Sequence, residues 1–212
     1  MNCAVEVSEE AKSGDPAADM DEHGPAHALR SQRDDVLHIR CLGGFSIQQG
    51  VGGPDLTPTT LTRQHELLLR VIAAGPDGAA VDRIVAGIWP LTDPDRRRQS
   101  LNTSLSRLRA GFYGANAIVA DGDVLRVDAS ATWVDSLALE ALTREVLLPL
   151  QRRQERHSLA KLQHWAAQLE GFGQAEFLPA LDGVYWVLAA RQRIAQDRSR
   201  ALSRLGGRKH GK

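Results

Sequence analysis

The feature that most restricts the fold of this 212-residue chain is an amphipathic segment at residues 93–112, DPDRRRQSLNTSLSRLRAGF. Its large apolar residues recur at spacings of four, three and four: Leu101, Leu105, Leu108 and Phe112. These spacings place the four side chains on one stripe of an α-helix, which can pack on a core. Asp93 is a typical N-cap and Pro94 a typical first helical residue, so the sequence also predicts where this helix begins.

The opposite face of this predicted helix carries polar and basic side chains that suit nucleic-acid binding. The helical period places outward Arg96, Gln99, Ser100, Thr103, Ser106, Arg107 and Ala110, with Asn102 and Arg109 flanking them. The same segment also carries Arg97 and Arg98. Arg107, at the centre, can donate to O6 and N7 of guanine, Asn102 can read adenine or bond a phosphate, and the Thr103 methyl can pack on thymine. The other arginines are predicted phosphate contacts. The pattern is typical of a DNA recognition helix, and the alternative is a solvated helix face.

Charge is distributed unevenly along the chain, although the formal net charge is zero. Residues 1–35 carry nine acidic side chains against three basic ones and almost no large apolar residue, so we predict a disordered acidic tail. From residue 191 to the end there are eight basic side chains and one acidic one. This basic end, with a predicted basic tail at residues 206–212, is either a nonspecific DNA arm or a solvated helix end.

The order of the predicted elements indicates an α+β fold with two domains. The elements are strands at 37–43 and 45–50, helices at 61–75 and 82–90, the helix at 94–112, a hairpin around Asp121 and Gly122, and helices at 135–148, 152–170 and 183–205. We therefore predict a first domain at residues 36–130 that begins with antiparallel strands and ends with the hairpin. A small all-helical domain is predicted at residues 131–205.

The predicted hairpin would be the wing of that first domain. Its tip carries Asp121 and Asp123, which the negative potential of the DNA minor groove repels. Contact between the wing and DNA is therefore assigned to Arg126, or is absent.

Residues that would support catalysis, a cofactor or a metal are sparse. His157 and His164 lack an acidic or cysteine partner at ligand spacing, and GVGGPD lacks the lysine of a phosphate-binding loop. The two cysteines form neither a disulfide framework nor a metal quartet, which fits a reducing cytosol. With no apolar run of about 20 residues and no signal peptide, we expect a cytoplasmic protein that is not an enzyme and contacts no membrane.

Several segments occur in an order that carries a family resemblance. They are LHIRCLGGFSI, LLLRVIAAG, IWP at residues 88–90, SLSRLR at 104–109, VLRVDASATWVD, and GQAEFLP at 173–179 followed by Trp186 and Arg191. Together they resemble SARP-type bacterial transcriptional regulators, in which a winged helix of the OmpR/PhoB type precedes a bacterial transcriptional activator domain. The resemblance implies a winged helix-turn-helix domain at residues 36–130 and a TPR-like helical domain at residues 131–205. The resemblance covers about residues 36–195, with a helical domain of about half the family length and an acidic wing tip as departures.

Two functions follow from these observations. The resemblance implies a regulator that binds double-stranded DNA at direct-repeat or palindromic half-sites, with base contacts at Asn102 and Thr103 and a helical domain that dimerises or contacts RNA polymerase. The acidic wing and zero net charge favour the alternative, a protein-interaction module that has lost DNA reading and modulates another regulator. Salt-dependent binding to duplex DNA distinguishes the two.

Overall fold

The computed structural model describes residues 36–112, 115–147 and 159–207. The predicted acidic tail at residues 1–35 lies outside these ranges, as do residues 208–212. In chain order the elements are β1 (Leu37–Arg40), β2 (Ser46–Gln49), α1 (Arg63–Ala73), β3 (Ala79–Ala80), α2 (Val81–Ile88), α3 (Pro94–Gly111), β4 (Ile118–Asp121), β5 (Val124–Val127), β6 (Thr132–Val134), α4 (Asp135–Leu147), α5 (Leu159–Gly171) and α6 (Tyr185–Gly207). The prediction of an α+β fold is confirmed by six helices and two three-stranded sheets in these ranges.

Helix α1 lies at the centre of the fold because its apolar residues are not confined to one stripe. Five of its side chains are almost completely buried: Leu67, Leu68, Leu69, Val71 and Ile72. A helix that is apolar on several faces must be covered on several faces. Helix α1 accordingly contacts α2, α3, β5 and α6, so it connects the predicted recognition helix with the last helix of the chain.

The first sheet has the strand order β2-β1-β6. Strands β1 and β2 are antiparallel with Ile39 opposite Ile47, as their alternating apolar residues predict. Strand β6 lies parallel to β1, with Val134 opposite Ile39. The sequence pattern does not predict this strand, which lies in the segment assigned to the helical domain. The two predicted domains therefore share a sheet.

The second sheet has the strand order β3-β5-β4 and contains the predicted hairpin. Strands β4 and β5 are antiparallel, with Asp121 opposite Val124, which leaves a two-residue turn that includes Gly122 at φ +58°. Gly78, at φ +73°, lets β3 approach β5 because a Cβ at this position would collide with the carbonyl oxygen of Leu125. The hairpin thus extends a sheet that begins just before α2.

Helix α3 packs through the stripe that the sequence predicts. Leu101, Leu108 and Phe112 are buried, and Leu105 is half-buried. At the helix start, Asp93 Oδ1 accepts a hydrogen bond from the Asp95 N–H at 3.0 Å, and Pro94 is the first helical residue. The predicted start of this helix is therefore confirmed. Contacts with α1 and α2 cover its apolar stripe and leave the opposite side in solvent.

The helical segment after residue 131 is bonded directly to the turn that follows β1. Leu42 and Phe177 form an isolated antiparallel bridge, and the Leu178 N–H donates to the Cys41 carbonyl at 2.7 Å. The side chain of Phe177 is only 2% exposed. Buried side chains from both segments form one continuous hydrophobic cluster. The predicted boundary at residue 130 therefore runs through a shared core.

Arginines of α6 add polar links across the same boundary. Arg193 donates to the carbonyl of Ala73, at the end of α1, and to Glu140 Oε1 in α4, both at 2.9 Å. Burial raises the pKa of the Glu140 carboxyl, and the neighbouring Arg193 opposes that shift. Arg70 of α1 lies over the Trp186 ring at 5.2 Å from its centroid. Helices α1, α4 and α6 are therefore held together by charged groups as well as by the core.

Candidate nucleic-acid interface

The residues that the sequence assigns to DNA contact lie mostly on one exposed surface of α3. We call this surface the α3 face. Its exposed members are Arg96, Arg98, Gln99, Asn102, Thr103, Ser106, Arg107 and Arg109. They lie away from Leu101 and Leu108, which are 5% and 4% exposed against the core. By the 3.6-residue period of the helix, the side opposite the stripe carries Arg96, Gln99, Thr103, Ser106 and Arg107, and one flank carries Arg98, Asn102 and Arg109.

Three arginines of the α3 face are not engaged by other protein groups. In the part of the chain that the structure describes, the guanidinium groups of Arg96, Arg98 and Arg107 form no hydrogen bond or ion pair. An unpaired guanidinium keeps five N–H donors in a planar fork that fits phosphate oxygens and the guanine edge. Segment 93–112 as a whole has five arginines against two aspartates. The α3 face therefore presents positive charge and unused donors.

The uncharged polar residues of the α3 face differ in what they can offer. Thr103 Oγ1 donates to the Gln99 carbonyl at 2.9 Å, so the hydroxyl bonds the helix's own backbone. The Thr103 methyl is then the part of this side chain that suits an external contact, as the sequence predicts. Asn102, one residue before Thr103, and Ser106, three residues after it, are exposed as well. The α3 face thus combines donors, acceptors and one apolar group, which is the mixture that reads base edges.

Arg97 has a partner that the sequence does not predict. It is half-buried, and its Nε donates to the Trp89 carbonyl at 3.0 Å while Nη2 donates to the Pro90 carbonyl at 2.9 Å. Both carbonyls belong to the turn between α2 and α3, where the end of α2 leaves carbonyl groups without helical partners. The structure therefore places Arg97 against this turn, and a phosphate contact would use the guanidinium donors that these two bonds leave free.

Arg97→Ala is expected to lower the free energy of unfolding by about 1–2 kcal/mol, because two carbonyl groups lose charge-assisted hydrogen bonds. Arg98→Ala is the matched control, since Arg98 is the next residue, is exposed and has no partner within the described ranges. Its effect should lie within about 0.5 kcal/mol. Urea denaturation of both variants measures the difference, and equal stabilities would show that Arg97 does not hold the turn.

Arg109 also has a protein partner, although it is exposed. Its Nε donates to Asn116 Oδ1, a residue that sequence reasoning did not single out. Asn116 precedes β4, so this bond connects the end of α3 to the hairpin. This bond uses one of the five N–H donors of the guanidinium, and the other donors stay available. Arg109 can therefore serve the fold and still bind a phosphate.

The hairpin carries little free positive charge. Arg126 Nη2 lies 2.8 Å from Asp121 Oδ2, with the two side chains 48% and 64% exposed. An exposed pair of this kind contributes little to stability, but it offsets the charge of the arginine. Asp123 at the hairpin tip is exposed as well. Arg126 is thus the predicted contact that lies on β5 rather than on α3, and its charge is offset by Asp121.

The described ranges also bear on metal binding and on membrane insertion. No cluster of three or more His, Cys, Asp or Glu side chains that could hold a metal occurs among the described residues. His164 is exposed on α5, and His157 lies outside the described residues. Within those same ranges, no helix combines the length and the apolar character needed to cross a membrane.

The chain matches no protein-family model, and it matches no curated protein. The resemblance to SARP-type regulators therefore depends on the sequence segments quoted above.

Proposed function

We propose that this chain is a sequence-specific DNA-binding transcriptional regulator whose helix α3 lies in the major groove. The observation that carries the proposal is the α3 face, where Arg96 and Arg107 expose guanidinium groups that are unpaired within the described ranges, together with the Thr103 methyl. The Asn102 amide and the Arg98 guanidinium are exposed along one flank of that face. Major-groove readout by a helix uses these residue types. The apolar stripe on the other side keeps the helix attached to the core while that face is in the groove.

The proposal interprets residues 36–130 as a winged helix. Three helices, α1 to α3, are followed by the β4–β5 hairpin, and β3 joins that hairpin in one sheet. This order supports a helix-turn-helix with α3 as its second, recognition helix and the hairpin as its wing. It is also the order that the resemblance to SARP-type regulators implies, together with a role for the helices after residue 131 in dimerisation or in contact with RNA polymerase.

Contacts within the proposed complex can be ranked from the partners that each residue already has. Arg107 is assigned to a guanine and Asn102 to an adenine or a phosphate, since both are exposed. Arg96 and Arg98 are assigned to phosphates because their guanidinium groups are unpaired within the described ranges. Arg97 is ranked below this set, because its bonds to the α2–α3 turn already use two of its five donors.

The experiment is selection of genomic DNA fragments by the purified protein at two salt concentrations, followed by affinity measurements on the enriched site. Arg107→Ala is expected to lower specific affinity by about 1–3 kcal/mol, or about 5- to 150-fold, with weaker preference at one base pair. Each phosphate contact should contribute about −0.9 to the slope of log K against log salt. Lys161→Ala is the control, because it removes an exposed positive charge from α5, a helix to which no DNA contact is assigned.

The alternative function predicts a different outcome of the same experiment. The acidic hairpin and the Arg126–Asp121 pair support a protein-interaction module that no longer reads DNA. Weak, motif-free retention that Arg107→Ala and Lys161→Ala reduce equally would favour that module and contradict the proposed regulator.

A further inference from the structure

A cavity beside α6 is distinct from the α3 face and is not used by the proposed function. Its volume is about 350 Å³, and it lies between α6, α4 and the segment at residues 174–177. The residues that matter for its chemistry are Phe177, Ile194, Arg198, Ser199, Leu202 and Ser203. We infer that this cavity binds a small monocarboxylate with a short apolar body, held by Arg198.

Arg198 is the unusual residue of this cavity. It is half-buried, its Nε is shielded from solvent, and that atom has no hydrogen-bond partner in the described ranges. The neighbouring Asp197 does not neutralise it, because Asp197 pairs with Arg200 at 3.4 Å. Shielding part of a charged group without a partner is unfavourable, so such groups are usually paired with protein or ligand.

Arg191 lines the same cavity from the same helix, but its guanidinium nitrogens are bonded to protein groups. Its Nε donates to the Phe177 carbonyl at 2.7 Å, Nη2 donates to the Leu178 carbonyl at 2.8 Å, and Nη1 donates to Asp182 at 3.1 Å. Every nitrogen of that guanidinium is occupied by protein. Arg198 lines the cavity, and its guanidinium forms no hydrogen bond or ion pair with the described residues. Its Nη groups, rather than the shielded Nε, are therefore the donors available to a ligand.

The rest of the lining defines the ligand class. A carboxylate fits the planar fork of one guanidinium, and the hydroxyls of Ser199 and Ser203 can donate to its second oxygen. Leu202 and Phe177 provide apolar surface for a short hydrocarbon chain. The carboxylate of Glu176 also lines the cavity, 4.0 Å from Arg191, and it disfavours a second negative charge on the ligand. The volume is within the usual range for small-molecule sites.

The test is calorimetric titration of the full-length protein with hexanoate, acetate and hexyl phosphate at constant ionic strength. We expect hexanoate to bind best, acetate to bind more weakly because it lacks the apolar body, and hexyl phosphate to bind more weakly because of its second charge. Arg198→Gln should weaken hexanoate binding by about tenfold or more, since a charge-assisted hydrogen bond is lost. Arg83→Gln, which removes an exposed arginine of α2 that does not line the cavity, should bind like the unmodified protein.

Thermal melting separates a binding role from a structural one. If Arg198 is a ligand-binding group, Arg198→Gln without ligand should melt no lower than the unmodified protein, because an unpartnered half-buried charge is removed. Arg198→Lys, which keeps the charge and loses the fork, covers the case in which Arg198→Gln fails to fold, and it should also bind hexanoate weakly. No hexanoate binding, binding unchanged in both Arg198 variants, or tighter binding of hexyl phosphate would overturn the inference. DNA is not used in these measurements, so their outcome is independent of the proposed regulator.

Discussion

A fragment that ends at Ser130 is expected not to fold cooperatively, although the sequence predicts a domain boundary there. The fragment loses β6, which pairs with β1 from Leu37 to Ile39. It also loses Phe177, which bridges to Leu42 beside that strand. Leu37 and Ile39 are 0% exposed in the whole chain and would be uncovered along one edge.

The stabilising free energy that the fragment loses is expected to exceed the free energy of unfolding of a domain of this size. Covering one large apolar side chain contributes about 1.5–3 kcal/mol, and domains are stable by only about 5–15 kcal/mol in total. Helix α1 is affected as well, because α6 covers part of it and Arg193 bonds its last carbonyl groups. Several such losses together exceed the stability of the remaining 95 or so folded residues.

Urea denaturation followed by far-ultraviolet circular dichroism, with binding of a hydrophobic dye as a second signal, measures the outcome. The fragment 1–130 should show a broad, low-midpoint transition and bind the dye, as a partly packed chain does. The fragment 1–207 is the control, because it keeps every described element and should unfold like the full chain. A sharp transition of fragment 1–130 near the midpoint of the full chain would show that the first domain is independent.

Local patterns were sufficient to predict most elements of the fold. The apolar stripe at residues 93–112 predicted α3, and Asp93 with Pro94 predicted its first turn, because both signals act within a few residues. The aspartate–glycine pair predicted the β4–β5 hairpin for the same reason. The parallel pairing of β6 with β1 was not predictable, since its two strands are more than 90 residues apart and β6 has only three residues.

In the candidate site, the exposure of side chains was predictable from the sequence, whereas their hydrogen-bond and ion-pair partners were not. Helical periodicity alone predicted that Arg107 and Asn102 are exposed, and they are. It could not distinguish Arg97 from Arg98, although only Arg97 turns toward the carbonyls of the preceding loop. That difference depends on the path of the chain between α2 and α3. The Arg126–Asp121 pair likewise depends on strand register rather than on spacing along the sequence.

One acidic residue that sequence reasoning did not select joins the two halves of the chain. Asp135, at the start of α4, is 7% exposed. Its Oδ1 accepts hydrogen bonds from the N–H groups of Cys41 at 2.8 Å and Ser136 at 2.7 Å, and its Oδ2 accepts from the Leu42 N–H at 3.0 Å. Burial raises the pKa of this carboxyl, while the three N–H groups oppose that shift. The turn after β1 thus depends on a carboxylate from beyond β6.

Asp135→Ala is therefore expected to lower the free energy of unfolding by about 3–5 kcal/mol, because three backbone donors lose a charged acceptor and buried donors without partners are costly. Asp135→Asn should lose less, since an oxygen at the Oδ1 position still accepts two of the bonds while the amide group faces the Leu42 N–H.

Asp128→Ala is the matched control, because Asp128 also accepts a hydrogen bond from a backbone N–H, that of Ser130 at 2.9 Å. This bond is exposed to solvent, so its loss should cost about 1 kcal/mol or less. Urea denaturation of the three variants would contradict the assignment if Asp135→Ala were no less stable than Asp128→Ala, because the first sheet would then not depend on α4 for its turn.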